Sequence, residues 1–95
     1  MAVFRILEAT ARPGAVARLS ELVVRQEQQI VARAAGIVFV QSLRSGDRVM
    51  AVSSWASVED MQRYLDRPET GDFYRALPEL LMGVPSVRTY EVISP

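Results

Sequence analysis

The spacing of apolar positions changes repeatedly along this chain, and each change marks an element. Val3 to Ala9 is rich in branched and aromatic residues and reads as a strand. Arg12-Pro13-Gly14 punctuates a turn over Thr10 to Gly14. From Ala15 to about Arg33 the period becomes helical: Val16, Leu19, Val23 and Ile30 share one stripe, with Leu22 beside it. Gly36 follows, suited to the left-handed conformation that ends a helix. Ile37 to Leu43 and Arg48 to Trp55 read as two antiparallel strands joined by the polar tip Ser45-Gly46-Asp47. Ser57-Val58-Glu59-Asp60 resembles a capping box with Asp60 in place of the usual Glu or Gln, and it opens a short helix whose apolar side is Val58, Met61, Tyr64 and Leu65. Arg67-Pro68 should end that helix, since a residue before proline avoids the helical region. A further helix is expected over about Asp72 to Leu81, with Phe73, Ala76, Leu77 and Leu80 inward and Pro78 as a kink. Ser86 to Ile93 is the last strand.

The order β-α-β-β-α-β, with its second helical region in two pieces, predicts a single α+β domain over residues 1–95: a ferredoxin-like, four-stranded antiparallel sheet with helices on one face. The strands do not alternate as a sheet with one wet face should. Ile37-Val38-Phe39-Val40 and Val49-Met50-Ala51-Val52 are continuous, and Val3, Phe4, Ile6 and Leu7 occupy both parities. Both faces call for cover, and the helices suffice for one. Such a face amounts to several hundred Å², more than monomers usually leave exposed as one apolar patch. The expectation is a homodimer joined through its sheet faces.

Composition narrows the chemistry. Apolar residues make up 49% of the chain and charged residues 23%, ordinary values for a folded domain. A lone domain of 95 residues buries only about 60–65% of the surface its unfolded chain exposes, so a second subunit would help it. Net charge is zero, which gives no electrostatic footprint for nucleic acid or an anionic membrane. No apolar run approaches the ~20 residues of a membrane span. Met1-Ala2-Val3-Phe4-Arg5 shows no charged leader before an apolar stretch, so no secretory signal is expected and the cytoplasm is the default.

The chain contains no His, Cys, Asn or Lys, and all eleven basic residues are Arg. A tight zinc, copper or iron site is therefore not expected, and metal ligation is called as none. A Ser-His-Asp triad and a Schiff-base lysine are excluded outright. Glu8, Glu91 and Asp60 are the base candidates, with Asp60 assigned to the helix cap and Glu8 and Glu91 expected near Arg5 or Arg88.

Trp55, the only tryptophan, stands at the seam between a strand and a helix. It shares a strand face with Ala51 and Ser53. Small residues below the indole either leave a cavity that it walls or simply accommodate it as a plug. Gln26 lies close to the apolar stripe of the first helix, where its amide needs a partner, from a ligand or from backbone. Ser53 is a hydroxyl contact or a small filler. Tyr64 either orients a phenolic ligand or packs its ring, and Phe39, Phe73 and Tyr74 are core or pocket wall. A cavity of roughly 300 Å³ beside Trp55 would favour a ligand site.

Ala35-Gly36, the Trp55-x-Ser57-x-Glu59-Asp60 junction, Tyr64, Phe73 and Val87-x-x-Tyr90-Glu91 together resemble the antibiotic biosynthesis monooxygenase family of dimeric α/β-barrel proteins. Muconolactone-isomerase-like and EthD-like proteins share that barrel. The resemblance spans the whole chain and rests on order and spacing. It implies a small hydrophobic or aromatic ligand between sheet and helices, and oxidation of phenols or hydroquinones by O₂ with no metal and no flavin as cofactor. A non-catalytic ligand-binding dimer is the alternative, and a purely structural dimer with a filled core is the third reading. The phenol-oxidising relatives carry Asn four residues before the Trp, where this chain has Ala51. The haem-degrading branch relies on an Asn and a His, which this chain lacks.

Overall fold

The computed structural model describes residues 1–94. Eight elements follow in order: β1 (Val3–Thr10), α1 (Val16–Gln29), a single 3-10 turn (Val31–Arg33), β2 (Ile37–Ser45), β3 (Arg48–Trp55), α2 (Val58–Leu65), α3 (Pro68–Ala76) and β4 (Ser86–Glu91). The strands form one antiparallel sheet in the order β2-β3-β1-β4. β3 thus lies between β1 and β2 and splits the β1-α1-β2 unit, the ferredoxin-like arrangement that the element order predicts.

The helices cover one face. Leu19 and Val23 of α1 and Phe73 of α3 pack with Leu7, Ala9 and Val49 of the sheet, joined by Leu77, Leu80 and Leu81. Met61 and Tyr64 of α2 and Val31 of the 3-10 turn pack with Val3 and Trp55. On the opposite face, Phe39, Leu43 and Tyr90 each remain nearly half exposed, at 46%, 45% and 47%. Phe4, Ile6 and Met50 complete that apolar surface, because antiparallel partners such as Phe4 and Tyr90 place their side chains on the same side.

Two helices differ most from the sequence reading, while β2 runs two residues further than expected, to Ser45, and β4 ends two residues earlier, at Glu91. The first helix stops at Gln29 rather than Arg33. The β-branched pair Ile30-Val31 leaves the helical path, and the 3-10 turn carries Val31 inward against the Trp55 cluster. The third helix runs Pro68–Ala76 rather than Asp72 to Leu81. Pro68 does not merely end α2. It takes the first position of α3, where its fixed φ suits the helix and its missing N–H costs nothing, while Arg67 ahead of it is extended. Pro78 lies beyond the helix. Leu80 and Leu81 reach the core through a turn instead, with Ala11 bridging Leu81 and the Arg12 amide donating to the Leu80 carbonyl at 2.8 Å.

The seam after β3 is built as its residue types require. Ser57 is the N-cap of α2, and its hydroxyl accepts from the Asp60 amide at 3.1 Å. The same hydroxyl donates to the Asp60 carboxylate, which also pairs with Arg63 at 3.0 Å. Gly36 sits under that carboxylate at φ +82°, and a Cβ there would collide with the Asp60 side chain. Glycine is therefore required for both backbone and space, and the Gly36 carbonyl ties this turn to the seam through the Ala56 amide at 2.8 Å. Among the described residues, no helix is long and apolar enough to cross a membrane.

Candidate functional site

The two core clusters do not fuse completely. Between them, on the helix face of the sheet, lies a hollow of about 30 Å³. Leu7, Val23 and Phe73 reach it from the aliphatic cluster, Val31 and Tyr64 from the aromatic one, and Ala51 forms part of its floor. That volume holds about two water molecules. It is well below the roughly 300 Å³ at which ligand pockets begin.

Six polar side chains line this hollow: Arg5, Gln26, Glu27, Ser53, Tyr64 and Tyr74. They come from five elements. Arg5 and Ser53 are direct neighbours across β1 and β3, so both point to the helix side with Leu7 and Ala51. Gln26 and Glu27 lie one turn beyond Val23 on α1, which completes its inward stripe with polar groups. The Gln26 amide donates to the Tyr64 hydroxyl at 3.2 Å, and the Arg5 guanidinium donates to the Tyr74 hydroxyl at 2.5 Å. Ser42 of β2 donates to the Glu27 carboxylate at 2.9 Å. Burial pushes the Tyr64 hydroxyl above the ordinary phenol value, against a smaller opposing effect from Gln26. Every buried polar side-chain atom among the described residues has a partner.

Five of the expected pocket residues therefore meet at one place: Ala51, Ser53, Gln26, Tyr64 and Phe73. Two do not. Trp55 lies behind the wall, with no exposed surface. Its ring stacks on Tyr64 at 5.1 Å between centroids, and its indole N–H donates to the Ser53 hydroxyl at 3.0 Å. The indole is the plug of the aromatic cluster and supports two residues that do line the hollow. Phe39 is on the far face of the sheet. An irregularity between Ile37 and Phe39 shifts the pairing, so Ile37 and Val40 point inward while Phe39 is left outward beside Ser54.

The three base candidates also lie elsewhere. Glu8 is on the far face, where Arg48 donates to it at 2.5 Å. Asp60 belongs to the cap of α2, and Glu91 is exposed on the edge strand. Arg5 does not pair with either glutamate. The carboxylate at the hollow is Glu27, which the sequence reading passed over. Its signal was its position four residues after Val23 and eight after Leu19, on the buried stripe. No cluster of three or more Asp or Glu suited to a metal ion occurs among the described residues.

Gln26 and Phe73 line both the hollow and an outer groove of about 260 Å³ between α1 and α3.

Comparison with known proteins identifies the fold. No family model matches the chain, and no curated protein matches it in sequence. Solved structures match over nearly the whole length. Rv0793 from Mycobacterium tuberculosis superposes with a TM-score of 0.91 at 16% identity, covering 100% of this chain and 98% of its own. A candidate antibiotic biosynthesis monooxygenase from Deinococcus radiodurans gives 0.90 at 18% identity, covering 98% and 94%. A mutant of SnoaB, a cofactor-independent oxygenase from Streptomyces nogalater, gives 0.84 at 21% identity, covering 99% and 95%. The chain thus has the fold found in antibiotic biosynthesis monooxygenases, in line with the resemblance of its sequence. At these identities the likeness establishes architecture alone.

Proposed function

We propose that this chain is a homodimeric, cofactor-independent monooxygenase that acts on a small phenol or hydroquinone held in the hollow between sheet and helices. One observation carries the reading. Six polar side chains converge on one point of an otherwise apolar interior, in the fold that SnoaB uses as an oxygenase.

The chemistry requires no metal. A phenol transfers its O–H proton to the Glu27 carboxylate. The resulting phenolate is electron-rich enough to reduce O₂. One oxygen atom enters an unsubstituted ring carbon, para to the phenolic oxygen in a simple phenol and ortho to it in a hydroquinone, the other leaves as water, and a quinone results. The protein orients the ring, excludes bulk water and takes the proton. Tyr64 stays a neutral phenol across the physiological range, because burial disfavours its anion, and it serves as a hydrogen-bonding partner. Entry requires Gln26 and Phe73 to swing outward.

Dimer formation belongs to the same reading. The face bearing Phe4, Ile6, Phe39, Leu43, Met50 and Tyr90 would pack on its copy, as burial of several hundred Å² at about 25 cal/mol per Å² favours. Light scattering at micromolar concentration should return about twice the 10.6 kDa of one chain. A clean 10.6 kDa species would contradict it.

Oxygen uptake with a panel of hydroquinones tests the reaction. Uptake should be saturable in the wild type and fall about 100-fold or more in Glu27→Gln, the usual scale for loss of a general base. A second reading, a dimer that binds such a ligand without converting it, is favoured by Ala51, which stands where phenol-oxidising relatives have Asn. Binding without oxygen uptake on any substrate would select it.

A further inference from the structure

The geometry points to an oxyanion receptor: the hollow takes its ligand as an aromatic phenolate, held by the Arg5 guanidinium and the Tyr74 hydroxyl. This rests on the reading of the hollow as a ligand site and names the charge state that the site selects.

The hydrogen-bond directions carry the inference. Arginine and indole nitrogens only donate. Arg5 donates to the Tyr74 oxygen, and Trp55 donates to the Ser53 oxygen. Each hydroxyl thereby uses an oxygen lone pair on a nitrogen donor, and its own proton remains for a third group. Both hydroxyls line the hollow. Arg5 adds further N–H groups, since one bond engages a group with five. No carboxylate lies within ion-pair distance of Arg5 among the described residues, although five other arginines have such a partner. Instead the guanidinium sits 5.8 Å from the Tyr74 ring centroid.

The charged and titratable groups around it are few. α1 contributes Glu27, α2 contributes Tyr64 and α3 contributes Tyr74, while the cross-strand neighbours of Arg5 are Ser53 of β3 and Thr89 of β4, with the exposed Glu91 of β4 one position further along the same face. Glu27 already accepts from Ser42. Arg5 is thus the group with the most unused donors, with one of its five N–H groups engaged and no carboxylate paired to it. A ligand that supplies an anionic oxygen satisfies it, whereas a neutral ring leaves a half-buried cation facing an apolar wall. Arg5 and Glu27 also divide the work: the carboxylate takes the proton, and the guanidinium and phenol stabilise the anion left behind.

4-Nitrophenol, whose anion absorbs visible light, and nitrobenzene, its neutral counterpart, test this by equilibrium dialysis. The wild type should bind the phenolate about tenfold or more tightly than nitrobenzene, which corresponds to one charge-assisted hydrogen bond, and bound dye should ionise at lower pH than free dye. Arg5→Met should bind both compounds alike, and Arg5→Lys should retain the preference. Tyr74→Phe, which leaves the strand residue intact, should weaken phenolate binding and leave nitrobenzene unchanged. Equal binding of both compounds by the wild type would overturn the oxyanion inference while the ligand site stands. Binding of neither would overturn both. An undiminished phenolate preference in Arg5→Met and in Tyr74→Phe would also refute it.

Discussion

Leu19, Leu77, Leu80 and Leu81 fill one end of the interior, while Trp55, Tyr64 and Met61 fill the other. The aliphatic end offers only shape. Its side chains have no polar atoms to satisfy, and they clamp α1 and the turn after α3 onto β1 and β3. The aromatic end carries an indole N–H and a phenol, and these recruit Ser53 and Gln26. The polar hollow forms where the two ends meet. Stability and chemistry are thereby divided between neighbouring parts of one small core, and substitutions should separate them.

The largest effect belongs to the aliphatic end. Leu19→Ala should lower unfolding free energy by about 3 kcal/mol, because Leu19 has no exposed surface and the cavity left behind cannot collapse fully. Denaturant unfolding measures this, and oxygen uptake per folded molecule should stay close to that of the wild type. A large loss of activity in the folded fraction would erase the contrast between the two ends.

Ser53→Ala strikes the aromatic end and should cost less, about 1–2 kcal/mol, since it strands the buried Trp55 N–H without an acceptor. Here activity should fall as well, because Ser53 lines the hollow. A stability change without an activity change would mean that Ser53 serves packing alone.

The smallest effect appears only in alkali. Burial raises the folded-state pKa of Tyr64 above the ordinary phenol value of about 10. Above that value the unfolded chain loses the proton while the folded chain keeps it, so the unfolded state binds fewer protons and stability falls as pH rises. Its contribution is complete below about pH 10 and is lost as pH climbs from there through the folded pKa. Unfolding curves between neutral pH and alkali should show this decline in the wild type and a shallower one in Tyr64→Phe. Identical slopes would show that the Tyr64 environment does not differ between folded and unfolded chains.

Much of this architecture was legible in the residues themselves. Branched and aromatic runs between turn residues located the four strands and period-3.6 patterns the helices, and the unbroken apolar runs in strands predicted that both sheet faces avoid water. The site was legible in part. Gln26, Ser53, Ala51, Tyr64 and Phe73 announced themselves by lying on inward stripes. Arg5 and Glu27 did not, because a charge on a buried stripe is ordinarily solvated, and only the crossing of β1 beneath α1 and α3 shows where these two point. Phe39 and Trp55 lie away from the hollow for different reasons. A single register irregularity turns Phe39 outward, and a stacked Tyr64 covers the indole, which the sequence left open between cavity wall and plug. Pro68 misled by its two roles, as terminator of one helix and first residue of the next.

Trp55 supplies the most direct test of the central claim, because the chain has no other tryptophan and this one stacks on a wall of the hollow. Its fluorescence should be titrated with 4-nitrophenol and with simple hydroquinones, with N-acetyltryptophanamide as the optical control. A ligand that displaces Gln26 and Phe73 to enter must disturb Tyr64, so the emission should change saturably with at least one compound, and the change should disappear when Gln26→Phe or Gln26→Tyr fills the entrance. Emission that follows the free-dye control for every compound, in wild type and filled variants alike, would contradict the claim that this polar seam receives a ligand.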